Sequence, residues 1–298
     1  MDVLVTGASG MVGSALVAAL AAKGRKVRRL VRDGGDEHDV SWRPDRGEIE
    51  RERLSGLGAV VHLAGEPIGR GRWTAEKKAR IRDSRVRGTR LLCEALAGLP
   101  APPAVLACAS AIGFYGSRGD EPLDEESPIG SGFLADVCRE WEAAARPAIE
   151  TGIRVVHLRF GFILSTAGGG LAQMLPPFRL GLGGPLGGGR QWMSWIALED
   201  AVGAIDHALA TGSLRGPVNV VAPAPVVNSD FTKTLGRVLG RPAFLPVPAA
   251  AVRLLFGEMG EELLLSSQRV APKRLLASGC PFRWPELEPA LRRILEKQ

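Results

Sequence analysis

Three glycines near the N-terminus have the spacing of a loop that binds phosphate groups. Gly7, Gly10 and Gly13 lie between an apolar run at 2–6 and a segment of helical periodicity at 11–23. In that setting Gly7 permits the tight turn, Gly10 lets the backbone approach a pyrophosphate, and Gly13 lets the helix pack close to the strand. Free N–H groups at the positive helix end would hold the phosphates, so the loop predicts a dinucleotide site rather than a turn without a ligand. The loop residues that we expect to contact the cofactor are Gly7, Ser9, Gly10, Met11, Val12 and Gly13.

The end of the second predicted strand indicates which dinucleotide binds. NAD-binding folds usually place Asp or Glu there, where the carboxylate accepts the ribose 2′-OH. Here Val31 occupies that position and Arg32 follows. A carboxylate would repel a 2′-phosphate, whereas an arginine can bind it bidentately. The sequence therefore favours NADP(H); NAD(H) is the alternative, since Asp33 could serve the 2′-OH if the turn is shifted by one residue.

These residues must be positioned by alternating strands and helices. Apolar runs predict strands at 2–6, 26–31, 58–63, 103–108, 153–158 and 217–222. Helical periodicity predicts helices at 11–23, 74–97, 133–151 and 230–239. The alternation predicts an α/β fold, a Rossmann-type doubly wound parallel sheet with helices on both faces.

The chain changes character after residue 160. Segment 165–195 is rich in glycine and proline and is either a plain surface loop or, as we favour, a loop that faces the substrate beside the cofactor. Its candidate substrate-side residues are Arg190, Gln191 and Trp192. From residue 246 the sequence is amphipathic and punctuated by prolines. We expect a Rossmann-type domain at 1–245 and a smaller, mainly helical C-terminal module at 246–298.

Composition limits the classes of function. The 298 residues carry a net charge of +6, mostly from arginine, and only 5% are aromatic. The charge is typical of a solvated surface or of attraction for phosphate ligands, but the scarce aromatics argue against a nucleic-acid partner. The four cysteines match no metal or redox spacing and predict reduced core residues, and we expect no metal site. Neither a signal peptide nor an 18-residue apolar run is present, so we expect a cytoplasmic protein with no membrane partner.

Several motifs stand at the ends of the predicted strands. The chain reads T-G-A-S-G-M-V-G at 6–13, H-L-A-G at 62–65 and S-A-I-G-F-Y-G at 110–116. By these motifs it resembles the extended short-chain dehydrogenase/reductase superfamily, in its NAD(P)-dependent epimerase/dehydratase group. Further stretches at 176–185 and 246–248 make it similar to an atypical epimerase-like family with a C-terminal domain of unknown function. The resemblance covers essentially the whole chain. Members of that family are usually described, by homology, as nucleotide-sugar epimerases.

The resemblance also implies roles for residues outside the loop. Leu63, Ala64 and Gly65 should pass beneath the adenine and ribose side of the cofactor. Arg85 stands where extended members carry Asn, which makes it a candidate cofactor or phosphate contact; the alternative is a solvated helix charge. Phe162 should lie near the nicotinamide, with strand-end packing as the alternative.

One feature of the superfamily is missing. Active members use a Tyr-x-x-x-Lys pair, in which the tyrosine acts as acid and base and the lysine lowers its pKa. The only tyrosine here is Tyr115, and Gly119 lies four residues further on. Phe133 and Val137 occupy the positions of the pair and belong to the apolar side of the predicted helix. The resemblance thus implies the cofactor without the standard proton relay.

Other groups would have to supply an acid or base. Ser110 could bind a ligand or cap a strand end, Tyr115 could be catalytic or structural, and Glu66 could be catalytic or fix a loop. His62 and His157 lie in predicted strands and are expected to be satisfied core residues. These alternatives leave two hypotheses: an NADP(H)-dependent oxidoreductase or epimerase-like enzyme acting on an unknown small molecule, and a non-catalytic NADP(H)-binding sensor or scaffold. The oligomeric state stays open.

Overall fold

A computed structural model describes residues 2–32, 36–69 and 71–296 of the chain. Within these ranges the strands are β1 (Asp2–Thr6), β2 (Val27–Val31), β3 (Val40–Arg43), β4 (Glu48–Ile49), β5 (Leu57–His62), β6 (Val105–Ala111), β7 (Pro122–Leu123), β8 (Arg154–Phe160), β9 (Phe162–Leu164), β10 (Trp192–Met193), β11 (Trp195–Ala197), β12 (Gly216–Val220), β13 (Val226–Val227) and β14 (Arg269–Val270). The α-helices are α1 (Met11–Ala22), α2 (Ala75–Ala97), α3 (Phe133–Ala143), α4 (Arg146–Glu150), α5 (Gly169–Arg179), α6 (Leu198–Ala210), α7 (Asn228–Leu239), α8 (Ala249–Phe256), α9 (Glu258–Gly260), α10 (Lys273–Ala277) and α11 (Leu287–Glu296).

The central sheet has the order β12-β8-β6-β5-β1-β2-β3-β4. All neighbouring strands are parallel except β3 and β4. The chain moves outward from β1 through β2 and β3, and then returns to β5 on the other side of β1. Thr6 and His62, the last residues of β1 and β5, are register partners. This reversal leaves a crevice outside the carboxyl ends of the two strands, where sheets of this kind bind ligands.

Helices cover both faces of the sheet. On one face, Leu16 of α1 and Ile205 of α6 are buried in a shared core. On the other face, Leu92 of α2 and Ala148 of α4 form a second core. Parallel strands buried on both faces read as continuous apolar runs, which is why the sequence located them. The predicted doubly wound Rossmann-type fold is confirmed.

The predicted helix at 133–151 is wrong in one respect, because the structure has two helices there. α3 ends at Ala143, and α4 begins at Arg146 with Pro147 in its first turn. Proline has no N–H to give to the carbonyl four residues earlier and its ring crowds that carbonyl, so one continuous helix is disfavoured. The expected apolar side survives the break, since Val137 and Trp141 are both buried.

Segment 165–195 is not one irregular loop, and this corrects the sequence prediction. It contains α5 and the short strand β10. Leu171, Leu175 and Phe178 of α5 are buried at helical spacing, so the apolar period was present in the sequence. The glycines that begin α5 and the prolines at 176 and 177 argued against a helix here, because both residue types usually end helices.

The C-terminal region is mainly helical, as expected. It comprises α8 to α11 and a π-helical turn at Glu261–Leu265. Pro272 precedes α10, and Pro281 and Pro285 precede α11. β14 of this region pairs in parallel with β7, which joins it to the rest of the chain. The division at residues 245 and 246 stays a prediction.

Two further expectations concern composition. All four cysteines are buried and free, which agrees with their assignment to the core. None of the helices in the described ranges combines the length and the apolar character that a membrane crossing needs.

Candidate functional site

The glycine loop has the geometry that its spacing predicted. Gly7 adopts a φ of +66°, and Gly10 donates its N–H to the Gly7 carbonyl at 3.0 Å. A Cβ at Gly13 would collide with the same carbonyl oxygen, so α1 can pack this closely only because residue 13 has no side chain. α1 has no acidic residue in its first turn and no side-chain cap, and Ser9 is exposed. The loop therefore presents uncapped N–H donors beside the carboxyl end of β1, an arrangement that suits a phosphate group.

A hydrogen-bonded network holds the following turn, at Leu63 and Ala64, next to this loop. The hydroxyl oxygen of Thr6 accepts the backbone N–H groups of Leu63 and Ala64, both at 3.0 Å. Its own proton is then donated to Nδ1 of His62 at 2.7 Å. His62 therefore carries its proton on Nε2 and donates it to the Thr89 hydroxyl at 3.0 Å. The turn that should lie beneath the adenine is thus fixed by side chains from β1, β5 and α2.

Burial keeps His62 neutral within this network. Burial lowers the pKa of His62 to about 4, because the low-dielectric interior disfavours the charged ring. Trp141 adds a second donor to the Thr89 hydroxyl, at 2.9 Å. The prediction that His62 is a satisfied core residue is confirmed. His157 is also buried, but its Nδ1 has no hydrogen-bond partner within the described part of the chain.

Arg32 lies exposed at the end of β2. The other two arginines of this strand are engaged: Arg28 donates to Asp2 at 2.7 Å, and Arg29 donates to Asp39 at 2.6 Å. No carboxylate of residues 2–32, 36–69 or 71–296 forms an ion pair with Arg32. Asp33, the residue that kept NAD(H) open as an alternative, lies outside the described residues.

Arg85 lies against the backbone of the same turn. A Cβ at Gly65 would come within 3.3 Å of its guanidinium carbon. Its Nη1 donates to the carbonyls of Glu66 and Ile81, both at 3.0 Å, and its guanidinium stacks 5.0 Å from the ring of Trp141. Arg85 is therefore not the solvated helix charge that was the alternative. It supports the predicted cofactor-binding turn from below, and direct contact with the cofactor stays a prediction.

Ser110 and Tyr115 belong to a buried polar network. The Ser110 hydroxyl donates to Glu142 at 2.7 Å. Arg159 donates to both carboxylate oxygens of Glu142, at 2.8 and 2.9 Å, and to the Tyr115 hydroxyl at 3.0 Å. Tyr115 in turn donates to the side-chain oxygen of Asn219 at 2.7 Å. Burial alone would raise the pKa of Glu142, but the hydrogen bonds and charge of Arg159 outweigh it and leave that pKa below its usual value.

This network corrects the catalytic interpretation of Tyr115. Its side chain is completely buried, both hydrogen bonds of its hydroxyl go to protein groups, and burial raises its pKa. A hydroxyl in this position has no free surface for a substrate, so Tyr115 is structural. Ser110 is also buried and its proton is held by Glu142, although it lies at the carboxyl end of β6 where the crevice opens.

The position of the missing tyrosine is filled by apolar side chains. The Phe133 ring packs edge-on against Trp73 at 5.2 Å, beside Leu134 and Met259. Val137, at the lysine position, is buried. Residues 133 and 137 therefore belong to apolar packing, and neither supplies a group for the proton relay.

Glu66 is the third proposed acid or base. Its carboxylate accepts from Nζ of Lys77 at 2.6 Å, and Arg80 lies 3.9 Å away. The hydrogen bond from Lys77 holds the pKa of Glu66 below its usual value. The side chain is 31% exposed, so among the three candidates it is the one that reaches solvent. At neutral pH it is a paired carboxylate, which can accept a proton but has none to donate.

The substrate-side segment approaches the glycine loop at the start of α5. A Cβ at Gly169 would lie 3.4 Å from the side chain of Met11. Phe162, at the start of β9, packs against Phe231 with the ring centres 5.9 Å apart. A Cβ at Gly170 would collide with the Phe162 ring. Phe162 therefore makes the strand-end packing contacts that were its alternative, and proximity to a nicotinamide stays a prediction.

Two of the three substrate-side residues are engaged with the protein. Gln191 donates to the carbonyls of Leu186 and Leu264, both at 3.1 Å. The Trp192 indole donates to Asp120 at 2.8 Å. Arg190 is exposed. Gln191 and Trp192 thus fix this part of the segment in place, and of the three substrate-side residues Arg190 is the one whose charge is open to solvent.

Sequence reasoning missed Glu142, Glu262 and the buried ion pair of Arg159. An arginine inside the apolar run of β8 signals a buried partner, because a charge is rarely buried alone, but the sequence does not say which carboxylate. Glu262 accepts the N–H groups that begin α3, from Phe133 at 3.0 Å and Leu134 at 3.2 Å. It joins the C-terminal region to the helix where the tyrosine is missing. No local pattern in the sequence indicates that contact.

Known proteins are similar to this chain along nearly its whole length. The profile of the NAD dependent epimerase/dehydratase family matches residues 3–221, and that of Domain of unknown function (DUF1731) matches residues 247–294. The chain is also 45% identical over 290 residues to Epimerase family protein Mb2239 of Mycobacterium bovis, covering 97% of this chain and 96% of that protein. The chain belongs to the NAD-dependent epimerase/dehydratase family. The predicted resemblance, including the C-terminal domain of unknown function, is confirmed.

Two solved structures are similar to this epimerase/dehydratase family member. The crystal structure of human epimerase family protein SDR39U1 with NADPH has a TM-score of 0.92 and 38% identity, and the alignment covers 100% of both chains. The structure of a nucleoside-diphosphate sugar epimerase from Corynebacterium glutamicum has a TM-score of 0.83 and 38% identity, covering 100% of this chain and 59% of that one. The human structure carries the dinucleotide that the sequence here favours.

Proposed function

We propose that this member of the epimerase/dehydratase family binds NADP(H), with the 2′-phosphate on Arg32 and the pyrophosphate on the loop from Gly7 to Gly13. The observation that carries the proposal is the exposed guanidinium of Arg32, which has no ion pair within the described residues while Arg28 and Arg29 are paired. NADPH in the human relative supports the same choice. The further proposed cofactor contacts are Ser9, Gly10, Met11, Val12, Leu63, Ala64, Gly65, Arg85 and Phe162.

The proposed chemistry is that of an oxidoreductase or epimerase-like enzyme acting on a small carbonyl compound or a nucleotide sugar. NADP(H), when bound, supplies the hydride chemistry. The chain has to move the accompanying proton without a Tyr–Lys pair. Glu66 is the candidate acceptor that supports this proposal best, since it is ionised and partly exposed beside the predicted cofactor turn. Arg190 is the candidate substrate contact.

A second function has its own support. The apolar cluster around Phe133 fills the place of the catalytic tyrosine, and Tyr115 is buried. These features favour a non-catalytic NADP(H)-binding sensor or scaffold, in which the bound cofactor changes association with a partner protein.

Titration of the chain with NADPH and with NADH, followed by cofactor fluorescence, tests the cofactor proposal. Loss of a charge-assisted arginine–phosphate contact costs about 1.5–3 kcal/mol, so Arg32→Ala should weaken NADPH binding about 10- to 100-fold and leave NADH binding unchanged. Arg32→Lys should fall between. Arg146→Ala, an exposed arginine on α4, is the matched control. Equal wild-type affinities for the two cofactors, or full NADPH affinity in Arg32→Ala, would exclude the proposed role of Arg32.

A separate experiment distinguishes the two functions. The NADP(H)-loaded chain is mixed with a panel of carbonyl compounds and sugar nucleotides, and hydride transfer is followed by absorbance of the reduced cofactor. Turnover of any member that is lost in Glu66→Gln supports the enzyme. Complete inertness, together with a partner that binds only one redox state of the loaded chain, supports the sensor.

A further inference from the structure

Two stretches that the sequence singled out have no part in the proposed cofactor site. They are segments 176–185 and 246–248, and the structure places them side by side, since the N–H of Val247 donates to the carbonyl of Pro185 at 2.9 Å. The N–H of Leu245 donates to the carbonyl of Gly183 at 3.2 Å. The first segment begins in the last turn of α5, about 10 Å along that helix from the end that approaches Met11. These stretches therefore form a surface separate from the glycine loop.

This surface is apolar and exposed. Leu180 and Phe244 are 74% and 73% exposed, and Leu182 and Leu245 also lie open to solvent. We call these four side chains the 180/244 face. Single exposed apolar residues are ordinary, but a cluster of large ones on adjoining segments marks an interaction surface.

The two segments that carry the face, and the chain on either side of them, have no acidic residue. The sequence has no Asp or Glu between residues 160 and 198, and none between residues 231 and 257. Arg179 and Arg241 flank the apolar side chains and are exposed. Neither arginine forms an ion pair with any residue that the structure describes. The face therefore combines apolar side chains with free positive charge, and a partner must complement both.

We propose that the 180/244 face docks on an anionic lipid surface. Phe244 and the leucines would enter the boundary between headgroups and acyl chains, and Arg179 and Arg241 would bind lipid phosphates. A second copy of this chain is disfavoured as the occupant, because a symmetric contact would bring the same arginines together. The expectation of no membrane partner rested on the lack of a spanning segment, and peripheral docking needs none.

The chain that follows Leu245 is also largely open to solvent. Between Arg241 and Phe256 the only buried residue is Val252. Leu254 of α8 is 75% exposed. The chain beyond Leu245 thus continues to present apolar side chains to solvent, as a segment that lies in a membrane interface does.

Flotation of the full chain with vesicles tests the proposal. The probes are vesicles of phosphatidylcholine alone and of phosphatidylcholine mixed with phosphatidylglycerol. The wild type should float only with the anionic vesicles, and added salt should weaken binding. Phe244→Ser with Leu245→Ser should reduce binding at least about tenfold, and Arg241→Gln about fivefold. Leu276→Ser, an exposed leucine on α10, should leave it unchanged.

The melting temperature of each variant serves as the control for correct folding. These exposed substitutions should not lower it. NADPH affinity should also stay at the wild-type value. Absence of flotation with anionic vesicles would overturn the proposal. So would equal binding by wild type and the double variant, or a dimer in light scattering that the double variant abolishes, because that result would assign the face to a second copy.

Discussion

Glu142→Ala should destabilise the fold by removing the anionic centre of a buried network. Glu142 accepts two hydrogen bonds from Arg159 and one from Ser110. The side chain of Arg159 is only 4% exposed, so solvent cannot take the place of the carboxylate. After the substitution, the Arg159 guanidinium would retain two contacts, its hydrogen bond to the Tyr115 hydroxyl at 3.0 Å and its stacking on the Phe114 ring at 3.5 Å. Neither partner carries a negative charge.

The size of the effect follows from that burial. Removing one partner of a buried ion pair costs about 3–5 kcal/mol. With an unfolding entropy of about 2.1 cal/mol/K per residue, a chain of 298 residues should lose about 5–8 °C in melting temperature. The pKa of Glu142 is lower in the folded chain than its usual 4.5. The stabilisation is therefore complete above that usual pKa and is lost as the pH falls through the folded value.

Urea unfolding near neutral pH measures the loss. Glu142→Leu with Arg159→Met removes both charges and should be less destabilised than Glu142→Ala, because no uncompensated charge stays buried. Arg146→Ala, at an exposed i,i+4 pair on α4, should change stability by less than about 0.5 kcal/mol. A loss of under about 1 kcal/mol in Glu142→Ala, or a double variant that is less stable than the single one, would refute the reasoning.

Three other changes have definite expected outcomes. The pKa of His62 is about 4 when folded against 6.5 as its usual value, so the unfolded chain binds the extra proton. The His62 contribution to the free energy of unfolding should thus fall by about 3 kcal/mol between pH 7 and pH 4; urea titrations should find that fall missing in His62→Gln. Gly13→Ala should abolish NADPH binding in a fluorescence titration. The control Gly203→Ala, with nothing within 4 Å of its added Cβ, should keep NADPH binding and stabilise α6 by about 0.5–1 kcal/mol. Equal NADPH binding by the two variants would contradict the close approach at residue 13. Thr89→Val strands the donors of His62 and Trp141 and should cost about 1–3 kcal/mol in urea unfolding, while Thr89→Ser should restore most of it.

Local pattern was enough to locate the cofactor side of the molecule. β1, the glycine loop and α1 are contiguous in the chain, so their apolar run, glycine spacing and helical period are written in 21 consecutive residues, Asp2–Ala22. The same holds for Arg32, which is placed by the end of β2 alone. Local pattern did not reveal the helix α5 within segment 165–195, because the glycines and prolines of that segment indicate a loop more strongly than its apolar period indicates a helix.

The sequence by itself determined a parallel sheet, the close turn of the glycine loop between β1 and α1, and the lack of a Tyr–Lys pair, because each depends on residues close together in the chain. The tertiary structure decided what became of the remaining polar groups. Glu142 meets Ser110 across 32 residues, and Tyr115 meets Asn219 across 104. Contacts at such separations are set by which strands lie next to each other and which helix covers them. Only the folded sheet could therefore assign Tyr115 to the core.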